Sequence, residues 1–182
     1  MPLFRRFRGE LWLPALLIAI GAAGLVLSAP SEATLTGRAS AVDGDTLRLG
    51  GQRVRLIGID APELAQSCSD AAGVNWPCGQ TAREKMAALL AGGPASCTPR
   101  GRDRYGRILA TCTTEGVDVG EAIVGAGLAI STGSYLDAEA IARGGRIGIW
   151  AGPFTAPAKW RHEQESDTPP ANWVQIIASW LR

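Results

Sequence analysis

The sequence predicts an α+β fold, a small barrel-like sheet built from two hairpins with helices packed across it. Two β-compatible runs either side of Gly50 and Gly51 read as one hairpin, and two more between Ala95 and Thr113 read as another. Three later stretches carry apolar residues at helical spacing. One strand, Arg53 to Ile59, is apolar on both faces through Val54, Leu56, Ile57 and Ile59, as a barrel strand under a helix must be.

The chain begins with Arg5, Arg6 and Arg8 ahead of an almost uncharged run from Leu11 to Ala29, the layout of an export leader. Ser31, Glu32 and Ala33 form a small-x-small cleavage site before Thr34. The apolar run also approaches the roughly 20 residues that cross a bilayer. Residues 1–33 are therefore read as a signal peptide or an N-terminal membrane anchor, and the remainder as extracytoplasmic: secreted, periplasmic, or membrane-anchored through residues 11–29.

From Thr34 to Val42 small residues form a first strand entering a turn at Asp43, Gly44 and Asp45. Leu47 and Leu49 belong to the second strand and residues 53–59 to the third. A two-residue turn at Gly50 and Gly51 sets Leu49 opposite Gln52 and Asp45 opposite Leu56, which sends Arg55 to the other face from Asp45. The two converge if Asp45 sits in the turn ahead of the strand, or if the hairpin carries a bulge or a longer loop.

Residues 63–79 read as a loop, rich in Gly, Pro and Asn and bearing Cys68 and Cys78. A helix follows over residues 80–91, burying Ala82, Met86, Leu89 and Leu90 and stopping at Gly92 and Gly93. Residues 95–99 and 107–113 make the second hairpin. Asp118 and Glu121 have capping-box spacing for a helix that buries Val119, Ala122, Ile123 and Ala126. A third helix over residues 136–143 turns Ala138, Ile141 and Ala142 inward, and Gly148 to Trp150 fold back. Residues 162–170 read as a polar linker. Trp173, Ile176, Ile177, Trp180 and Leu181 then fall on one face of an amphipathic helix, which docks on its own domain or serves a membrane interface or partner. The predicted organisation is a leader or anchor over residues 1–33, one domain over 34–161, and a linker with a terminal helix over 162–182.

With 182 residues, 46% of them apolar, the chain has material for one folded core. Its net charge of +1 excludes the strongly basic class that lives bound to nucleic acid, and residues 1–33 hold three of the 18 basic and two of the 17 acidic residues, so the rest is neutral overall. Attraction for a polyanion has to come from clustering. Four cysteines allow three pairings. Cys68 with Cys78 and Cys97 with Cys112 are favoured, because each closes a short local loop. No C-x-x-C occurs and the one histidine, His162, is remote, so zinc is disfavoured.

The chemistry concentrates at two places. Asp43 and Asp45 precede the first hairpin, and Asp60 and Glu63 follow it; such hard oxygen donors on short loops suit calcium, and Arg55 between them offers a planar fork to a phosphate. Arg100, Arg102, Arg104 and Arg107 surround Asp103 and Tyr105 on the second hairpin, four guanidinium groups beside a ring able to stack on a base.

Asp-Gly-Asp-Thr at residues 43–46, Arg-Leu-Ile-Gly-Ile-Asp-Ala-Pro-Glu at 55–63 and Asp-Arg-Tyr-Gly-Arg-Ile-Leu-Ala at 103–110, in this order and spacing, resemble the staphylococcal nuclease (thermonuclease-like) family, over about residues 34–150. The resemblance implies a five-stranded OB-type β-barrel with three packed helices and calcium-dependent hydrolysis of phosphodiester bonds in DNA and RNA. It implies calcium (Ca2+) ligands at the Asp45 and Asp60 side chains and the Ala61 carbonyl, with Asp43 as the acidic neighbour that shapes the metal site. Glu63 matches the glutamate that activates or orients the attacking water, and Arg55 and Arg107 the arginines gripping the scissile phosphate. Arg104 and Tyr105 match residues contacting the nucleotide end. Where the family places a pair of tyrosines to wall the nucleotide pocket, this chain supplies only Tyr135. The cysteine-bearing loop resembles the disulfide-stapled exported branch of bacterial relatives. The implied partner is a nucleic acid substrate, with membrane anchoring through the N-terminal segment open and no obligate protein partner evident. The alternative on the same fold is a non-catalytic nucleic-acid or partner-binding module of the cell envelope.

Overall fold

The computed structural model of the chain describes residues 33–167. In chain order these form β1 (Leu35–Gly37), β2 (Ala39–Ala41), β3 (Thr46–Leu49), β4 (Gln52–Leu56) and β5 (Ile59–Asp60). Next come β6 (Cys68–Ser69), β7 (Asn75–Trp76), α1 (Cys78–Ala91), β8 (Ala95–Arg102) and β9 (Ile108–Thr114). The rest are β10 (Val117–Asp118), α2 (Val119–Gly125), β11 (Ile130–Ser131), α3 (Leu136–Gly144), a 3-10 turn (Gly148–Ala151) and α4 (Pro157–Asp167).

The main sheet runs β1-β8-β9-β4-β3-β2, with β10 added against β9. β1 and β2 are two pieces of one strand, interrupted only at Arg38, and they pair with β8 and β3 respectively. The first strand thus joins both ends of the sheet. Five staves close the ring, antiparallel except for β4 beside β9, and the five-stranded OB-type barrel expected from the motifs is the architecture observed. The hairpin turn is the tight one: Gly50 and Gly51 have φ of +55° and +80°, the pair of positive values that a two-residue turn of this hand demands. Leu49 faces Gln52 and Thr46 faces Arg55. The expected strand over residues 53–59 splits into β4 and β5 at the turn of Ile57 and Gly58.

The barrel interior and the inner faces of α1 and α2 share one apolar core. Leu47, Val54, Ala110, Ala82, Met86, Val119 and Ile123 are wholly removed from solvent there. A second, smaller cluster gathers Cys68, Cys78 and Ile149 under Trp76, Trp150 and Phe154. Both disulfides have the favoured pairing: Cys68 to Cys78 joins β6 to the start of α1, and Cys97 to Cys112 links facing residues of β8 and β9.

Three expectations need correction. Ile141 is 70% exposed rather than buried. The inward place on α3 goes to Glu139, whose carboxylate accepts the Ser131 backbone N–H and pairs with Arg143, so its burial is compensated. The described residues contain four α-helices rather than three, and α4 runs through residues 162–167, where a linker was expected. Its apolar content is slight because little of it is buried: Pro157 is, while residues 162–166 are exposed. The leader or anchor, including residues 11–29, and the amphipathic stretch at 172–182 lie outside the described residues. Among the described residues no helix is long and apolar enough to cross a membrane.

Candidate active site

Asp43 sets the position of its neighbour. Its Oδ1 accepts the backbone N–H of Asp45 at 3.0 Å and of Thr46 at 2.7 Å, a side-chain turn that holds Asp45 just ahead of β3. Of the alternatives open in the sequence, this is the one realised. The Leu56 N–H still donates to the Asp45 carbonyl at 2.8 Å, so the tight backbone register continues, yet the Asp45 side chain meets Arg55. The guanidinium bridges two carboxylates, Nη1 to Asp45 Oδ1 at 2.6 Å and Nη2 to Asp60 Oδ1 at 2.9 Å.

Asp45 is 4% exposed, and burial pushes its carboxyl up to about 7. Arg55 pulls the other way, Asp43 adds to the rise, and donors at the Ala61 N–H and the Thr46 hydroxyl lower it without restoring the ordinary value. This carboxylate is short of positive charge. Ala61 is buried beside it, its N–H on Asp45 Oδ2 at 3.2 Å.

Glu63 stands where β5 gives way to the loop. The Glu63 N–H donates to Gln66 Oε1 at 3.1 Å, and the Gln66 N–H returns a bond to the Glu63 carbonyl at 2.7 Å. Gln66 is itself buried, and its Nε2 donates to the Thr155 carbonyl at 2.7 Å, just before α4. Sequence reasoning passed over Gln66 as a loop residue.

On the second hairpin Asp103 organises the loop, accepting the backbone N–H groups of Tyr105 at 2.9 Å and Arg107 at 3.0 Å and Arg107 Nε at 2.7 Å. Desolvation pushes the Asp103 carboxyl up, but the bonds from Arg107 and Tyr105 together with the Arg107 charge outweigh it and hold the group below the ordinary aspartate range. The Tyr105 ring lies near two guanidinium carbons, 4.8 Å from that of Arg104 and 5.6 Å from that of Arg107.

These parts line one open cleft of about 550 Å³, to which Asp43, Arg55, Glu63, Arg104, Tyr105 and Arg107 all contribute. Asp45 and Asp60 lie behind, bonded to Arg55. Tyr135 is not among the cleft side chains: its hydroxyl donates to Asp118 at 3.1 Å, and its ring packs on the core. Arg53, Arg161 and Glu165 line the cleft without having been foreseen. Arg53 was within reach, since it lies two residues before Arg55 on one strand and so shares its face. Arg161 had no sequence signal. It comes from α4, with Nη1 at 2.7 Å from Glu63 Oε1 and 3.1 Å from Asp60 Oδ1, and Nη2 at 3.2 Å from Asp60 Oδ2.

Among the described residues no three His, Cys, Asp or Glu side chains stand close enough to form a metal centre by themselves. Asp45 and Asp60 nevertheless fit a hard cation. They are two nearly buried carboxylates beside the Ala61 backbone, and the under-compensated charge of Asp45 is what a divalent ion would relieve. Water and substrate oxygens would have to complete the shell.

A family model described as staphylococcal nuclease homologue matches residues 53–152. A succinoglycan biosynthesis protein, ExoI, of Rhizobium meliloti (strain 1021) is 38% identical over 64% of this chain and 64% of its own, so the chain spans a little under two thirds of that relative. An uncharacterized endonuclease of Escherichia coli is 32% identical over 68% of this chain and 82% of its own. A micrococcal nuclease of Shigella flexneri is 29% identical over 86% of this chain and 97% of its own.

Proposed function

Because this chain belongs to the staphylococcal nuclease homologue family, we propose that it is a calcium-dependent nuclease that hydrolyses phosphodiester bonds of both DNA and RNA. The observation that carries the reading is the meeting of Arg55, Glu63 and Arg107, from three separate segments, in one cleft in front of Asp45 and Asp60.

The scissile phosphate sits between Arg55 and Arg107, whose fixed positive charge opposes the charge that grows on the phosphoryl oxygens. Asp103 holds Arg107 through Nε, so its terminal nitrogens are the ones aimed at the phosphate. Arginine keeps its proton up to a pH of about 12, so Arg107 stabilises the leaving oxygen by charge rather than by proton donation. Glu63 orients the attacking water and takes or steers its proton. Asp45, Asp60 and the Ala61 carbonyl would hold the calcium ion, and Asp43 would fix Asp45 for that task. When bound, the ion supplies positive charge against the phosphate and so lowers its repulsion of the nucleophile. Arg104 and Tyr105 receive the nucleotide end, with the exposed Tyr105 ring as a stacking surface. Two disulfides suit an oxidising compartment. With them we assign residues 1–33 to export or anchoring, and residues from 34 through the cleft-lining helix α4 to the nuclease unit.

The test is hydrolysis of single-stranded DNA and of RNA by the full chain with calcium, repeated with a chelator. Wild type is expected to cut both, and to stop when calcium is removed. Glu63→Gln and Arg107→Ala are each expected to lower the rate by about 10²- to 10⁴-fold while the protein stays folded by circular dichroism. Wild-type rates in either variant would refute the assignment. Binding of DNA without any cutting would establish the binding-module alternative instead.

A further inference from the structure

We infer that Arg161 is a positioning residue for this reaction, holding the Glu63 carboxylate in the orientation from which it steers the attacking water. The inference rests on the nuclease reading and adds to it a residue that lies beyond the region matched by the family model.

Glu63 lines the cleft and Asp60 lies behind it, two neighbouring carboxylates that repel each other. The Arg161 guanidinium lies between them, one nitrogen shared by Glu63 Oε1 at 2.7 Å and Asp60 Oδ1 at 3.1 Å, the other on Asp60 Oδ2 at 3.2 Å. The geometry ties the more exposed carboxylate to the buried one: the Asp60 side chain is 6% exposed and anchored also by Arg55, while that of Glu63 is 33% exposed on a stem one methylene longer. Without the bridge, Glu63 keeps its rotamer freedom and is driven off by Asp60. The approach of α4 is set by the residue that sets Glu63. Gln66 accepts the Glu63 N–H and donates to the Thr155 carbonyl, two residues before the buried Pro157 that opens α4. One side chain thereby indexes both partners of the ion pair.

A purely structural role, docking α4, is the competing account, and the experiment separates the two. In the full chain, Arg161→Ala, Arg161→Lys and Glu63→Gln are compared on single-stranded DNA at saturating calcium. Lys159→Ala serves as a control on the same helix, since Lys159 makes only an exposed pair with Glu163 at 3.7 Å. Arg161→Ala is expected to lose about 10- to 100-fold in kcat, the size of effect that an ångström of misplacement produces. Its KM should stay within about threefold of wild type, because substrate grip is not what has been removed. Arg161→Lys should recover only part of kcat, as an ammonium group cannot fork across two carboxylates. Free guanidinium ion at non-denaturing concentration should raise kcat for Arg161→Ala and leave Glu63→Gln unchanged. An unchanged or increased kcat in Arg161→Ala overturns the inference, as does a loss seen chiefly in KM and insensitive to guanidinium. If the alanine variant fails to fold, the lysine variant decides: wild-type kcat there overturns the inference, and a several-fold loss at unaltered KM upholds it. A wild-type chain that cuts nothing brings down the nuclease reading itself.

Discussion

At Gly79 the absence of a side chain decides where Glu63 stands. A Cβ there would lie 1.8 Å from the Glu63 carbonyl oxygen and 2.6 Å from its carbonyl carbon, so α1 reaches the loop only because hydrogen is all that intervenes. Gly79→Ala is expected to push the loop outward and destabilise the fold by about 1–3 kcal/mol, measurable by urea denaturation. It should also lower kcat by at least about tenfold through the displaced carboxylate. Single residues were also where the sequence was most and least readable. Asp43, Asp45, Arg55, Asp60 and Glu63 could be named in advance because hard oxygen donors and a guanidinium crowd one short stretch, and Arg107 because it stands in an arginine cluster beside an aromatic ring, while the part proposed for each came from the resemblance of the ordered motifs. Arg161 could not: its partners are 98 and 101 positions away, and no periodicity links such distances. Tyr135 was named from the family's placing of tyrosines at the nucleotide pocket, and in the structure its hydroxyl is engaged by Asp118.

Among the elements, the capped helix behaves as its spacing indicated. Asp118 accepts the Glu121 N–H at 3.0 Å, and α2 starts there. The hairpin at Gly50 and Gly51 was equally legible, though not whether it carried a bulge or a longer loop, and the strand breaks at Arg38 and Ile57 to Gly58 were not, since curvature is imposed by closing the barrel rather than by local preference. α4 was missed because ion pairs and one glutamine, rather than an apolar stripe, secure it. The two disulfides have different consequences. Replacing Cys97 and Cys112 with serine should cost about 2–4 kcal/mol in denaturant experiments yet leave kcat of the folded protein near wild type, because the crosslink lies within the sheet. Replacing Cys68 and Cys78 should cost a similar amount and also reduce kcat, since that crosslink fastens the segment following Glu63 to the start of α1.

For the molecule as a whole, composition gave the right class, one core with no bulk polycationic character, and ordered motifs gave the barrel. Alkaline pH offers a global test. Burial first, then the charge and hydrogen bond of Asp118, push the Tyr135 phenol up to about 12, against about 10 in an unfolded chain. A raised value means that the folded state binds this proton more tightly, so its contribution is complete below pH 10 and is lost as pH climbs towards 12. Melting temperatures should fall over that interval, and Tyr135→Phe should flatten the decline. The chain has only two tyrosines, and two lysines in Lys85 and Lys159, so few other groups compete there. The strand shared between β8 and β3 has a mechanical corollary. A pull exerted on the segment leading into residue 35 is met by two hydrogen-bonded seams at once, each loaded along its length instead of being unzipped. The strands next to the cleft, β4 and β9, are not the ones that take this load directly, so tension at residue 35 reaches them only through their neighbours β3 and β8.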